Sequence, residues 1–322
     1  MFFPTMPVGL DDILPFTKRA KRFVEAGVIE RLWIGQTLTV EPHQLVAFLA
    51  GAGYRLPTGT SVRVMPMEHP YQAALQARST ALLTGEPTVA GFGVGAAAFQ
   101  QTLMGAPYPH PLTAAHEYLT TVRRLLKGEH VDEAGAYVRM HGSLPAVAHP
   151  PVEVGAGVLR PGMARIAGAA ADAAITFMTP PDYLAEHIVP ALTEGAADRP
   201  TRPRLVSIVH AAVAAPERDP RHLAHLAAGD HLRAPHYVDM LNRSGLDFDT
   251  TTPSEGAAEL VRSGVFVYGT PEDVAKRLDE YAAVGVDEIV LNPAGTLLGH
   301  GMKAAIADLV EIVRAYTQRP PN

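Results

Sequence analysis

Three clusters in the chain combine residue types and spacings that could do chemistry. Gly155-Ala156-Gly157, with Arg160 three residues on, lies between a strand-like and a helix-like stretch. A glycine-rich turn at that point exposes backbone N–H groups beside the positive end of a helix dipole, and the arginine adds a cation. Such a turn suits a phosphate, although tight strand-to-helix geometry would also select glycine. Gly93-Val94-Gly95 offers backbone without side chains, which lets either a flat ligand or a neighbouring strand come close. His222, His225, His231 and His236 look metal-like only by number, because no pair at i, i+4 joins a third ligand at a fixed offset. They read as a solvated or lid helix, and no metal is expected. The chain has no cysteine, so thiolate ligands, disulfides and a cysteine nucleophile are excluded.

Strand-like and helix-like segments alternate along the chain, the pattern of an α/β protein with a parallel sheet. The pattern predicts strands at Phe2–Phe3, Arg31–Gly35, Thr60–Met65, Thr88–Val94, Val152–Val154, Ala173–Phe177, Leu205–Ala214 and Glu288–Leu291. Between and after them it predicts helices over Asp11–Gly27, Pro70–Leu83, Leu112–Lys127, Pro161–Ala171, Asp182–Gly195, Pro271–Val284 and Met302–Tyr316. Asp11 or Asp12 is placed to cap the first helix and Gly27 to end it. Eight strands are what a closed (β/α)8 barrel needs, whereas an open doubly wound sheet uses fewer. Gly128–Pro151 and the His-rich stretch from Glu217 to about Gly264 break the rhythm. Both are too long for plain loops and should hold helices or hairpins that cover the catalytic face or meet a partner subunit. No Gly/Ser linker divides the 322 residues, so one domain is expected.

Bulk properties narrow the partners. Hydrophobic residues make up 47% and charged residues 19%, a globular balance. A net charge of −6 with scattered Lys and Arg argues against nucleic acid as a partner. No signal-peptide pattern and no membrane-spanning run is visible, so a soluble cytoplasmic protein is expected.

Taken in order, several segments resemble the luciferase-like superfamily of flavin and deazaflavin oxidoreductases. Gly59-Thr60-Ser61-Val62 followed by His69-Pro70 is similar to the third strand and following helix of that family. Gly93-Val94-Gly95 is similar to its fourth strand end, and Gly128-Glu129-His130-Val131 with Gly135 and Tyr137 to the stretch after its fourth helix. Val154–Gly157, Met163–Asp172, Tyr268–Glu272 and Gly285–Glu288 complete the series. The resemblance implies a TIM barrel that binds coenzyme F420, or alternatively FMN, at the carboxyl ends of its strands, and commonly a homodimer. It implies a non-prolyl cis peptide at Ser61-Val62 under the ring. Cofactor contacts would come from Gln36, Ser61, Val62, Gly95, Ala96, Gly155, Ala156, Gly157 and Arg160. The Ala-, Gly- and Pro-rich composition tilts the cofactor toward F420 only by association with high-GC, actinomycete-type sources.

The family's deazaflavin dehydrogenases carry an Asp or His after strand two and a Glu after strand four. Here those places hold Gln36-Thr37 and Ala96-Ala97-Ala98. Oxidising an alcohol needs a base within hydrogen-bond reach, and none of these residues is one. Reduction demands less: hydride passes from the cofactor to an activated C=C or C=N bond, and one acid or a water supplies the proton. The expected activity is therefore an F420-dependent reductase acting on a small molecule or peptide, for example a dehydroamino acid of a peptide natural product. An FMN-dependent monooxygenase of secondary metabolism is the alternative. The candidate proton donors are His110, Glu68 and His43, with Tyr108 and His141 behind them. His69 is read as simply beginning a helix.

Overall fold

The computed structural model describes residues 1–3, 10–36, 39–248 and 253–318. Strands β1 (Phe2–Phe3), β2 (Leu32–Ile34), β3 (Thr58–Val64) and β4 (Thr88–Gly93) alternate with helices α1 (Leu10–Glu25), α2 (Pro42–Gly51) and α3 (Pro70–Thr84). Helices α4 (Ala97–Met104) and α5 (Pro111–Leu126) follow, then an antiparallel hairpin of β5 (Val131–Ala134) and β6 (Arg139–Gly142). Next come β7 (Val152–Gly157), α6 (Pro161–Ala170) and β8 (Ala173–Phe177). The following helical stretch runs through α7 (Pro181–Tyr183), a π turn at Leu184–Ile188 and α8 (Val189–Gly195). The long β9 (Arg204–Val213) leads into α9 (Pro220–Leu232), α10 (Pro235–Arg243) and α11 (Pro253–Arg262). The chain closes with β10 (Phe266–Gly269), α12 (Pro271–Ala283), β11 (Glu288–Asn292) and α13 (Ala294–Thr317).

Strands β1, β2, β3, β4, β7, β8, β9 and β11 pair in parallel in that order and form an eight-stranded (β/α)8 barrel. These are the eight strands expected from the sequence. Helix α1 starts at Leu10, so Asp11 and Asp12 lie in its first turn instead of at its cap. The first long interruption holds the β5–β6 hairpin, and the second holds α9, α10 and α11.

Alternation along the strands stacks the interior in layers, as a filled barrel requires. On β9 Val206 and Ile208 point inward and His210 stands above them, while Leu205, Val209 and Ala211 face the outer helices. Trp33, Val89, Ala173, Ile175 and Val290 fill the same interior, and Gly59 leaves room for the indole. The bottom is closed by charge. Glu288 accepts from Trp33 Nε1 at 2.7 Å, pairs with Arg31 at 3.2 Å and with Arg204 at 2.9 Å, and Arg204 also grips Glu153. Strand β11 lies beside β1, but no backbone ladder joins them among the described residues. Glu288 therefore stitches this seam with side chains.

Strand β9 outgrows the barrel. Val206–His210 pair with β11, whereas His210–Val213 pair with β10, so His210 is the Cα partner of both Asn292 and Phe266. The wall forks there. β10 was not expected from the sequence, because four residues ending in Tyr268-Gly269 read as the lead into the capped helix α12.

Candidate active site

The register between β3 and β4 slips: Thr60 pairs with Ala90 and Arg63 with Phe92, so β3 bulges by one residue. The peptide bond Ser61-Val62 is cis, as the resemblance implied. The bulge sends Val62 into the barrel mouth, and glycines on the adjoining strands make room for it. A methyl group at Gly93 would lie 2.8 Å from Val62 Cγ2, and one at Gly157 would lie 3.1 Å away. At Gly91 it would overlap the carbonyl oxygen of Thr60. The Gln36 carboxamide backs the bulge, accepting from the Val64 N–H at 2.6 Å. Gly95 has φ +75, and a side chain there would also strike Val64.

Above this shelf opens a cavity of about 770 Å³ at the carboxyl ends of the strands, within the usual range for cofactor and ligand sites. Val62, Gln36, Gly93 and Gly157 line one side; Phe177, His210 and Asn292 line the other. Helices α9 and α10 and the turn between them roof it with Leu226, Asp230, His231, Arg233, His236 and Tyr237. The His-rich segment is thus a lid, and among the described residues no group of three His, Asp or Glu is arranged to hold a metal.

Phe177 is the hub of an aromatic cluster, with its ring 5.0 Å from His210, 4.9 Å from His231 and 6.0 Å from Tyr237. His210 is 2% exposed, and neither ring nitrogen has a partner among the described residues. Burial pushes its pKa down to about 3 and that of His231 down to about 4. It also lowers His236 and raises the Tyr237 phenol to about 12. The cluster is therefore uncharged at neutral pH. Among the described lining residues Asp230 is the sole carboxylate, and it pairs with Arg233 at 2.9 Å.

The site residues expected from the sequence divide sharply. Gln36, Ser61, Val62, Gly95, Ala96 and Gly157 all line the cavity, while Thr37 lies outside the described residues. Gly155 and Ala156 do not line it. They lie within β7, paired to Gly91 and Phe92, and a methyl group at Gly155 would lie 2.7 Å from Ile175 Cδ1. The expected phosphate turn at Gly155–Gly157 is strand, and strand packing accounts for its glycines. Arg160 caps α6 from outside the cavity, with its side chain 46% exposed and paired to Asp239 at 2.9 Å.

None of the three leading proton-donor candidates reaches the cavity. Arg63 projects from the outer face of β3 and binds Glu41 at 3.1 Å and Glu68 at 2.7 Å, which takes Glu68 behind the barrel wall. Burial there raises the Glu68 pKa against the pull of Arg63. His43 sits between α2 and α3, with Nδ1 2.6 Å from Thr80 Oγ1, and burial pushes it down to about 3. His110 is exposed ahead of α5, and its backbone N–H donates to Tyr137 Oη at 3.0 Å. Tyr108 packs edge-on against Tyr137, and His141 is exposed on β6 beside Asp132. His69 caps α3 through Nδ1, as expected. The group missed from the sequence is His210. Its signal was present: a histidine in phase with Val206 and Ile208, inside an apolar strand of a barrel whose mouth must hold the chemistry.

Residues 12–288 match the family model of luciferase-like monooxygenases, and the chain belongs to that family. Among curated proteins it is 25% identical over 322 residues to a 5,10-methylenetetrahydromethanopterin reductase of Methanolobus tindarius, covering 93% of this chain and 95% of that one. Among solved structures it resembles the coenzyme F420-dependent tetrahydromethanopterin reductase of Methanopyrus kandleri, with a TM-score of 0.71 and 14% identity over 98% and 96% of the two chains. It also resembles the oxygenating constituent of a Pseudomonas putida 3,6-diketocamphane monooxygenase in complex with FMN, with a TM-score of 0.68 and 14% identity over 100% and 98%. No helix among the described residues is long and apolar enough to cross a membrane.

Proposed function

We propose that the chain is an oxidoreductase that uses reduced coenzyme F420 to reduce an activated C=C or C=N bond of a small molecule or peptide. The observation that carries this reading is Val62, set among three glycines on the floor of a cavity of about 770 Å³ at the barrel mouth. A shelf without flanking side chains suits a large planar ring, and Val62, Gly93, Gly157 and Gln36 are the residues that would hold it. The full-length likeness to a methanopterin reductase, together with the likeness to the coenzyme F420-dependent tetrahydromethanopterin reductase structure, supports F420 over FMN.

When bound, the reduced deazaflavin supplies a hydride. Ile175, Phe177 and Leu226 exclude water around the acceptor carbon. The single proton that completes the reduction enters from the roof, where His231 and His236 lie nearer solvent. The site supports reduction over alcohol oxidation: an imidazole held near pKa 3 is a weak base, and Asp230, the one carboxylate among the described lining residues, is mostly exposed on the roof. A dehydroamino acid residue, with its C=C conjugated to an amide, meets these demands.

The test is anaerobic titration with F420 and with FMN, followed by absorbance and protein fluorescence. Saturable micromolar binding of F420, followed by its oxidation on addition of an activated alkene, is expected. Tight FMN binding with oxygen consumption, and no affinity for F420, would establish the monooxygenase reading instead.

A further inference from the structure

We infer that Arg63 is a positioning residue: gripped behind the barrel wall by Glu41 and Glu68, it sets how far Val62 stands into the cavity, and so the height at which a planar ring would rest. The inference deepens the oxidoreductase reading and rests on it for the ring itself.

The sheet does not hold Val62. The ladder with β2 ends at Thr60, and the ladder with β4 skips from Thr60 to Arg63, so among the described residues Ser61 and Val62 have no strand partner on either side. Nor do neighbours prop the valine: the facing positions Gly91, Gly93 and Gly157 carry no side chain, and the cavity lies in front. What fixes Val62 is the next residue. Successive side chains of an extended chain leave on opposite faces, so Val62 enters the mouth while Arg63 leaves through the wall.

The Arg63 side chain is 7% exposed, and its terminal nitrogens divide between two carboxylates, Nη2 to Glu41 at 3.1 Å and Nη1 to Glu68 at 2.7 Å. Both carboxylates are themselves held. Glu41 caps α2, accepting from the Gln44 N–H at 2.9 Å. Glu68 follows the tight turn Met65–Met67 just ahead of α3, and its N–H donates to the Met65 carbonyl at 3.3 Å. A planar guanidinium spanning two fixed anchors has both its position and its orientation set, which an ammonium would not. On the inner side Gln36 holds the Val64 N–H. The two residues after Val62 are therefore tethered on opposite faces of the strand.

Removing Arg63 alone would strand the buried Glu68 charge, so the test combines Arg63→Met with Glu68→Met. Exchanging a buried ion pair for apolar side chains of similar size is often neutral for stability, and Glu41, its side chain 29% exposed, stays solvated. The double variant is expected to melt near the wild type at pH 7 yet to bind F420 about tenfold more weakly in the anaerobic titration, because the shelf is no longer preorganised. Methyl NMR of the cofactor-free protein reads the cause. Nuclear Overhauser contacts from the Val62 methyls to the α-protons of Gly93 and Gly157 should be strong in the wild type and weak in the double variant. Arg63→Lys, which keeps the cation but reaches one carboxylate, should show both changes in smaller degree, and it carries the test if the double variant does not fold. Glu288→Gln, which lowers stability at the far end of the barrel, should keep the contacts and the affinity. Unchanged contacts or unchanged F420 affinity in a folded Arg63 variant, or lost affinity in Glu288→Gln, would overturn the inference. Failure of the wild-type protein to bind F420 would remove the cofactor reading, and the methyl contacts, measured without cofactor, would then decide the role of Arg63 by themselves.

Discussion

Val62 and the glycines around it turn a sequence motif into a graded steric prediction. A methyl group at Gly91 would meet backbone, which cannot swing aside. At Gly93 it would meet a valine methyl at 2.8 Å, and at Gly157 the same side chain at 3.1 Å. Overpacking of this kind costs about 1–3 kcal/mol, and more where backbone must move. Urea denaturation at pH 7 is therefore expected to rank the losses Gly91→Ala, then Gly93→Ala, then Gly157→Ala. Equal losses at the three sites would mean that Val62 does not set the glycine pattern. At this scale the sequence was legible in short runs such as Gly59–Val62 and Gly93–Gly95, and misleading where side-chain direction mattered. Glu68 and His43 are near the motif in sequence, but Arg63 and the helix packing carry both to the outer face of the wall.

The barrel seam shows how elements depend on a few side chains. Among the described residues β11 meets β1 without a ladder, and Glu288, its side chain 9% exposed, links it to Trp33 and Arg31 on the β2 side and to Arg204 on β9. Removing one member of a buried ion cluster typically costs about 3–5 kcal/mol, because the partners are left with uncompensated charge. Glu288→Ala is expected to lose stability on that scale in urea. Glu288→Gln, which can still accept from Trp33, should lose less, and a loss below about 1 kcal/mol for the alanine variant would show that the seam closes without it. The eight strands could be read from the chain because each is a short apolar run between turn residues. The short β10 could not, since its four residues become a strand only by pairing with the overhang of β9.

Across the whole molecule, buried neutral histidines tie stability to pH. His43 and His210 are held near pKa 3 and His231 near 4, against about 6.5 for the unfolded chain. Between about pH 6.5 and 4 the unfolded chain binds protons that the folded chain refuses, so stability falls as pH falls through that window. His43 and His210 each contribute about 1.4 kcal/mol per pH unit, and His231 adds to this in the same direction. Urea midpoints measured at pH 7, 6 and 5 should drop steeply below about pH 6, and His210→Phe should flatten the slope. A midpoint constant from pH 7 to 5 would contradict the burial of these rings. The fork at His210 has a different consequence. Phe266, where β10 begins, is the Cα partner of His210, three residues before β9 ends at Val213, so the excursion through α9, α10 and α11 leaves and rejoins on adjacent strands, roughly 11 Å apart. That excursion is a replaceable cassette: another roof grafted between those two anchors would change what the cavity admits, while the strands holding Val62 and His210 keep their register.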